Sequence, residues 1–255
     1  GSCTVIVFVS GATSGFGEAI ARRFARDGAR LVIAGRRAER LQALAAELGV
    51  PTHCLALDVR DRAAVEAAIA TLPADFAAID LLVNNAGLAL GIAPAHEASL
   101  DQWEQMVDTN VKGLMYLTRA ILPGMVQRGR GHVINIGSSA EEWPYPGANV
   151  YGATKAFVRQ FSLNLRADLY NTPVRVSDVA PGLAGGTEFS NVRFSGDDAR
   201  AAKVYESVMP LSAEDVANTV HWVATLPPHV NVNTLSLTPV CQGFGPVAVH
   251  RGEAG

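Results

Sequence analysis

Short runs of β-branched and aliphatic residues alternate along this chain with Ala-, Leu- and Arg-rich stretches whose apolar positions recur at helical spacing. The apolar runs predict strands over 5–10, 31–34, 52–57, 81–83, 131–138, 174–180 and 234–237. The periodic stretches predict helices over 17–27, 38–48, 62–72, 100–127, 150–171 and 213–225. Strands that are apolar on both faces and separated by helices belong in a parallel sheet covered on each side. The expected fold is therefore α/β: one Rossmann-type, doubly wound domain over 1–255 with a seven-stranded parallel sheet. Gly1-Ser2 reads as an expression scar, 183–205 as a substrate lid and 239–255 as a C-terminal tail with little pattern.

Composition changes this picture little. The chain has 255 residues, 49% hydrophobic and 18% charged, with a net charge of −3. That describes a well-cored protein with no electrostatic reason to bind nucleic acid or an anionic membrane. Cys3, Cys54 and Cys241 are widely spaced and include no CxxC. Neither a disulfide framework nor a zinc site is expected, and a cytoplasmic setting fits. No metal site is expected from the histidines either, which lack ligand spacing. No apolar run reaches the ~18 residues of a membrane helix.

Chemistry enters at Tyr151-Gly-Ala-Thr-Lys155. Side chains at i and i+4 stack on one helix face, so a phenol lies within a side chain's reach of an ammonium. Two charges ~4–5 Å apart at an effective dielectric of ~20 interact by about 3–4 kcal/mol, enough to lower a phenol pKa by about two to three pH units. Such a pair also occurs on ordinary helices, so the neighbouring motifs decide. After the first strand the chain reads Ser10-Gly11-Ala12-Thr13-Ser14-Gly15-Phe16-Gly17. Glycines permit a tight turn, and the helix start offers unpaired N–H groups to a phosphate; a plain strand–helix connection is the alternative. The second strand ends Ala34-Gly35-Arg36-Arg37, with glycine where an NAD site usually places an acid. Two guanidiniums there suit a ribose phosphate and favour NADP, unless they only begin a solvated helix. Asp58-Val59 ends the third strand, where Asp58 either accepts from an adenine amino group or caps a helix.

Taken in order, Gly11, Gly15, Gly17, Asp58, Asn84-Asn85-Ala86-Gly87, Asn110, Ser138, Tyr151, Lys155 and Pro181-Gly182 make the chain resemble the short-chain dehydrogenase/reductase family over its whole length. Within it, the stretches 81–94, 150–165 and 182–194 look most like the NADP-dependent 3-hydroxy acid dehydrogenases that oxidise serine and allo-threonine. The resemblance implies a homotetramer, strand order 3-2-1-4-5-6-7, a small-molecule substrate and hydride transfer between NADP(H) and a carbonyl or alcohol carbon. It implies that Ser138 hydrogen-bonds the substrate oxygen, that Tyr151 is general acid or base, and that Lys155 lowers the phenol pKa and holds the nicotinamide ribose. Asn110 would anchor a water linking Lys155 to solvent. Cofactor contacts would come from Gly11, Thr13, Ser14, Gly15, Phe16, Gly17, Arg36, Arg37, Asp58, Val59, Asn85, Ala86, Gly87, Tyr151, Lys155, Pro181 and Gly182. Read by themselves, Ser138 and Asn110 are also compatible with local backbone bonding, and 84–87 with an ordinary turn.

The chain departs from the family pattern in two places. Ser10 replaces the usual Thr and keeps the hydroxyl, whereas Glu141-Glu142 stand where small residues are general. Carboxylates facing the pocket would favour an ammonium-bearing substrate such as an amino alcohol; carboxylates turned elsewhere leave the hydroxy-acid reading intact. Glu141, Trp143, Tyr145 and Arg193 are the candidate substrate contacts, Arg193 as partner of a substrate carboxylate unless Asp197 and Asp198 balance it. A broad carbonyl reductase and a dinucleotide-binding regulatory module are the competing functions.

Overall fold

A computed structural model describes residues 4–185, 199, 202 and 208–244. The strands are β1 (Ile6–Val9), β2 (Arg30–Gly35), β3 (Thr52–Ala56), β4 (Leu81–Asn84), β5 (His132–Ile136), β6 (Arg175–Pro181) and β7 (Thr234–Leu237). They form one sheet in the order β3-β2-β1-β4-β5-β6-β7, with every pair parallel. The helices are α1 (Gly15–Arg26), α2 (Ala38–Leu48), α3 (Arg62–Ala70), α4 (Ala74–Ala77), α5 (Leu100–Val107), α6 (Leu114–Arg128), α7 (Asn149–Leu169) and α8 (Ala213–Ala224).

The alternation within β1 shows why helices cover both faces. Val7 and Val9 join a core with Ile20, Phe24, Leu41 and Val220, from α1, α2 and α8. Phe8, pointing the other way, joins Val65, Leu117, Met125 and Leu169, from α3, α6 and α7. β1 lies in mid-sheet, and the chain runs outward to β3 before returning to β4 on its other side. The crevice where the order reverses, at the strands' C-terminal ends, is where ligands bind such sheets.

The expected strand and helix cores are all present, with two informative differences. The helix expected over 100–127 is interrupted by a π turn, Asp108–Gly113. Within it, the Asn110 side chain bonds to the neighbouring loop and to α7 instead of to solvent. The strand expected over 131–138 stops at Ile136, because Ser138 starts a 3-10 turn, Ser139–Glu141. Both interruptions fall at the site and are typical of places where a regular element yields to function. No helix among the described residues is long and apolar enough to cross a membrane.

Candidate active site

The turn between β1 and α1 is locked to the segment after β4 by side chains from both. Ser10 Oγ accepts the N–H groups of Asn85 and Ala86, each at 3.0 Å. Asn85 Nδ2 donates to Gly11 O and Ser14 Oγ, each at 3.1 Å. Ser14 caps α1, its Oγ accepting from the Gly17 N–H. Gly11 has φ +58°, and a Cβ there would lie 3.0 Å from Ala86 Cα. A Cβ on Gly17 would collide with Gly11 O. The glycines thus allow a close-wound cradle whose helix N-terminus directs N–H groups outward, suited to a phosphate.

This cradle forms one wall of a cavity of about 610 Å³. Gly11, Thr13, Ser14, Gly15 and Phe16 line it, as do Asn85, Ala86 and Gly87 from the segment locked to the turn. On the side of β2 and β3 it takes in Arg36, Arg37, Asp58 and Val59; on the side of β5 it reaches Tyr151 and Lys155. Arg37 Nη2 donates to Thr13 Oγ1 at 3.2 Å, which ties the cationic end to the glycine turn. Of the expected cofactor residues, Gly17, Pro181 and Gly182 do not line the cavity. Gly17 acts through the turn, while the Gly182 N–H donates to Leu237 O at 2.8 Å, holding the chain beside β7. Arg60 also lines the cavity, a residue the sequence argument passed over. Its guanidinium pairs with Asp58, Nη2 to Oδ2 at 2.8 Å, and holds that carboxyl below the usual range. The helix cap reading of Asp58 fails, since α3 is capped by Asp61, which accepts from the Ala64 N–H. A basic residue two positions after an Asp at a strand end was the available signal for Arg60.

Tyr151 and Lys155 lie one turn apart on α7, 6% and 8% exposed, with Nζ 6.0 Å from the phenol ring centroid. Lys155 Nζ donates to Ile136 O at 3.1 Å. Burial brings its pKa down to about 8, against the opposing pull of Asp178 and Glu141. Gly87 leaves room for the lysine, since a Cβ there would lie 3.3 Å from both Lys155 Nζ and Asn110 Oδ1. Asn110 grips the loop through Leu88, accepting from its N–H and donating to its C=O at 2.9 Å each, and donates to Thr154 Oγ1 at 3.1 Å. The start of α7 is fixed by Asn149, at φ +24°. Its side chain accepts from Trp103 Nε1 and the Val150 N–H and donates to Ala93 O. Asparagine tolerates that backbone region better than most residues, and here it sets the register that delivers Tyr151.

Ser138 caps the 3-10 turn, with Oγ accepting from the Ala140 N–H at 3.1 Å. Ala140 and Tyr151 share an apolar cluster with Ala89 and Met106, so the turn packs directly against the start of α7. Ser138, Asn110 and the Tyr151/Lys155 pair are thereby brought together from three separate segments, the 3-10 turn, the π turn and α7. Tyr151 and Lys155 line the β5 end of the cavity, whereas Ser138 and Asn110 do not line it.

The candidate substrate contacts separate. Glu142 is exposed, but the Glu141 side chain is 2% exposed and does not line the cavity. Its carboxyl turns inward: Oε1 accepts from the Ser138 N–H at 3.2 Å, and Oε2 lies 3.9 Å from Arg159 Nε. The expectation that Glu141 touches substrate therefore does not fit its placement. Trp143 and Tyr145 are partly exposed, and Trp143 packs on Phe244 of the tail with ring centroids 4.6 Å apart. Arg193 and most of the expected lid lie outside the described residues, as does the tail beyond 244.

A Rossmann-type sheet with a glycine cradle at its switch point and a Tyr/Lys helix beside it defines a dinucleotide-binding oxidoreductase architecture. The family profile described as short chain dehydrogenase matches residues 5–197, and the chain belongs to that family. It is 63% identical over 247 residues, 97% of this chain and 100% of the relative, to the NADP-dependent 3-hydroxy acid dehydrogenase YdfG of Salmonella typhi. It is 51% identical over 245 residues to the serine 3-dehydrogenase of Agrobacterium fabrum, covering 96% of this chain and 98% of the relative. Its fold superposes with a TM-score of 0.95 on the closed form of a serine dehydrogenase complexed with NADP+, at 61% identity, covering 97% of this chain and all of the other.

Proposed function

We propose that this protein is an NADP(H)-dependent dehydrogenase of short 3-hydroxy acids, of the serine, allo-threonine and 3-hydroxypropanoate class, reversible toward the 3-oxo acid or semialdehyde. The observation that carries the reading is the cavity itself, which has Arg36 and Arg37 on one side of the sheet's switch point and Tyr151 and Lys155 on the other. Its volume suits a dinucleotide, and the close-wound glycine turn, where a Cβ on Gly11 or Gly17 would press on the neighbouring backbone, presents a helix N-terminus suited to a pyrophosphate. The relatives' cofactor and substrates, as their names give them, support the same reading.

When bound, the nicotinamide accepts or supplies the hydride. The protein's residues handle the proton. Tyr151 takes the alcohol proton in oxidation and returns it in reduction, while Ser138 hydrogen-bonds the substrate oxygen. Lys155 keeps the phenol acidic through its charge, and its burial strengthens that effect because little water screens it. Asn110 holds the loop, α7 and the π turn in one arrangement, so the lysine keeps its place. The inward turn of Glu141 and the exposure of Glu142 remove the feature that would have favoured an amino alcohol.

The test is NADP-linked oxidation of serine, 3-hydroxypropanoate and 3-hydroxybutanoate beside matched amino alcohols that lack the carboxylate. Turnover confined to the acids is expected. Equal or faster turnover of the amino alcohols would overturn the substrate assignment.

A further inference from the structure

Behind Lys155 lies a second pair of ionisable groups that the chemistry above does not use. Gly137 has no Cβ, and a side chain there would collide with Glu141 Oε1 and Asp178 Oδ1 together, so the two carboxyls meet in the space it leaves. Asp178, on β6, is 0% exposed, and the Glu141 side chain is 2% exposed. Glu141 Oε2 and both Asp178 oxygens are buried without a donor among the described residues. Two carboxylates this close in a dry site cannot both ionise, and the arrangement is satisfied if one carries a proton and donates it to the other. The charged groups that face the pair are Lys155 and Arg159, both from α7; the segment just after β5 contributes the uncharged Gly137. Lys155 donates to Ile136 O, the residue before Gly137, which puts the ammonium against the peptide segment that roofs the pair.

We infer that Glu141 and Asp178 share one proton and act as positioning residues, a single buried negative charge that keeps Lys155 protonated and in place beside Tyr151. This inference rests on the proposed function only for the role it gives Lys155. Burial raises the pKa of Glu141 to about 9, with its bond to Asp178 adding to the effect, and raises that of Asp178 as well. Protonation of the pair is therefore favoured by folding. The stability it contributes is complete below the pH at which free carboxylates ionise and is lost as pH rises toward about 9.

The experiment compares the wild type with Glu141→Gln, Asp178→Asn and the double variant. With one extra proton held by the folded wild type, its folding constant relative to Glu141→Gln should fall by about tenfold per pH unit from roughly pH 5 to roughly pH 8, read by urea denaturation. Infrared difference spectra at neutral pH should show a protonated-carboxyl stretch in the wild type that both single variants lose. Either single variant leaves one carboxylate bonded to an amide, so the Lys155 ionisation, read from the pH dependence of NADPH affinity, should stay within a few tenths of a pH unit. The double variant leaves no charge, and that ionisation should move down by about one pH unit or more. Parallel stability curves with no acid stretch would overturn the shared proton, and a double variant with an unmoved lysine would overturn the positioning role. Should the double variant fail to fold, a single variant that displaced the lysine ionisation downward would overturn that role. The stability and infrared readings involve no turnover, so they stand or fall separately from the proposed reaction.

Discussion

Lys155→Met removes the charge from the phenol's neighbourhood while keeping most of the side chain's length and apolar contacts. The ammonium lies 6.0 Å from the Tyr151 ring centroid, in a site where both residues are under a tenth exposed. With the ring centroid taken as the centre of the delocalised phenolate charge and an effective dielectric of about 20, the ammonium stabilises the phenolate by about 2.8 kcal/mol, equivalent to about two pH units. The acid limb of the pH profile for alcohol oxidation should therefore move up by about two pH units. The Ile136 carbonyl also loses its donor, at a cost of about 1 kcal/mol, which lowers stability slightly without moving the limb. The assay is kcat/KM for oxidation of the best hydroxy acid from pH 6 to 10, with urea denaturation as the control for folding. A limb that stays where the wild type has it, in a folded variant that still turns over, would refute the claim that Lys155 sets the phenol's acidity.

Arg36→Asp should weaken NADPH on the order of ten- to a hundredfold while leaving NADH within a few-fold, because a charged phosphate contact is lost and a repulsion added; isothermal titration with both cofactors reads it, and an equal loss for both would remove Arg36 from the phosphate end. His132 is held neutral by burial, with Arg175 adding to the effect, and its pKa falls to about 3. A depressed histidine contributes stability that is present above the free-imidazole pKa of ~6.5 and lost as pH falls below it. Wild type relative to His132→Gln should therefore lose about tenfold in folding constant per pH unit between roughly pH 6 and pH 4.5, and parallel denaturation curves would contradict this. The comparison with the variant is needed because the Glu141/Asp178 pair acts with the opposite sign over part of that range.

Much of this site was legible as sequence because its parts are short motifs tied to strand ends. Gly11, Gly15 and Gly17 follow β1, Arg36 and Arg37 follow β2, and Asp58 follows β3, so a parallel sheet brings them to one edge. Tyr151 and Lys155 need only helical spacing. What depended on distant contacts was not legible. Asn110 breaks its helix because Leu88 and Thr154 offer better partners than its own turn, and neither is near it in sequence. Asn149 was invisible as the anchor of α7 because its partners, Trp103 and Ala93, lie on other segments. Glu141 was placed in the right loop but with its facing undecided, since Asp178 on β6 and the missing Cβ of Gly137, just after β5, settle it. Arg60 sat two residues beyond a motif and was passed over, although its ion pair with Asp58 shapes the cavity.

The central claim is that Tyr151 moves the substrate proton in an NADP-linked reaction. Tyr151→Phe removes only the phenolic oxygen from a side chain packed with Ala140 and Met106, so the cluster and the cavity should survive. Measured side by side, NADPH affinity should stay within a few-fold of wild type, while kcat for 3-hydroxy acid oxidation falls by about 10²–10⁴. Retained turnover in a variant that binds the cofactor normally would contradict the account.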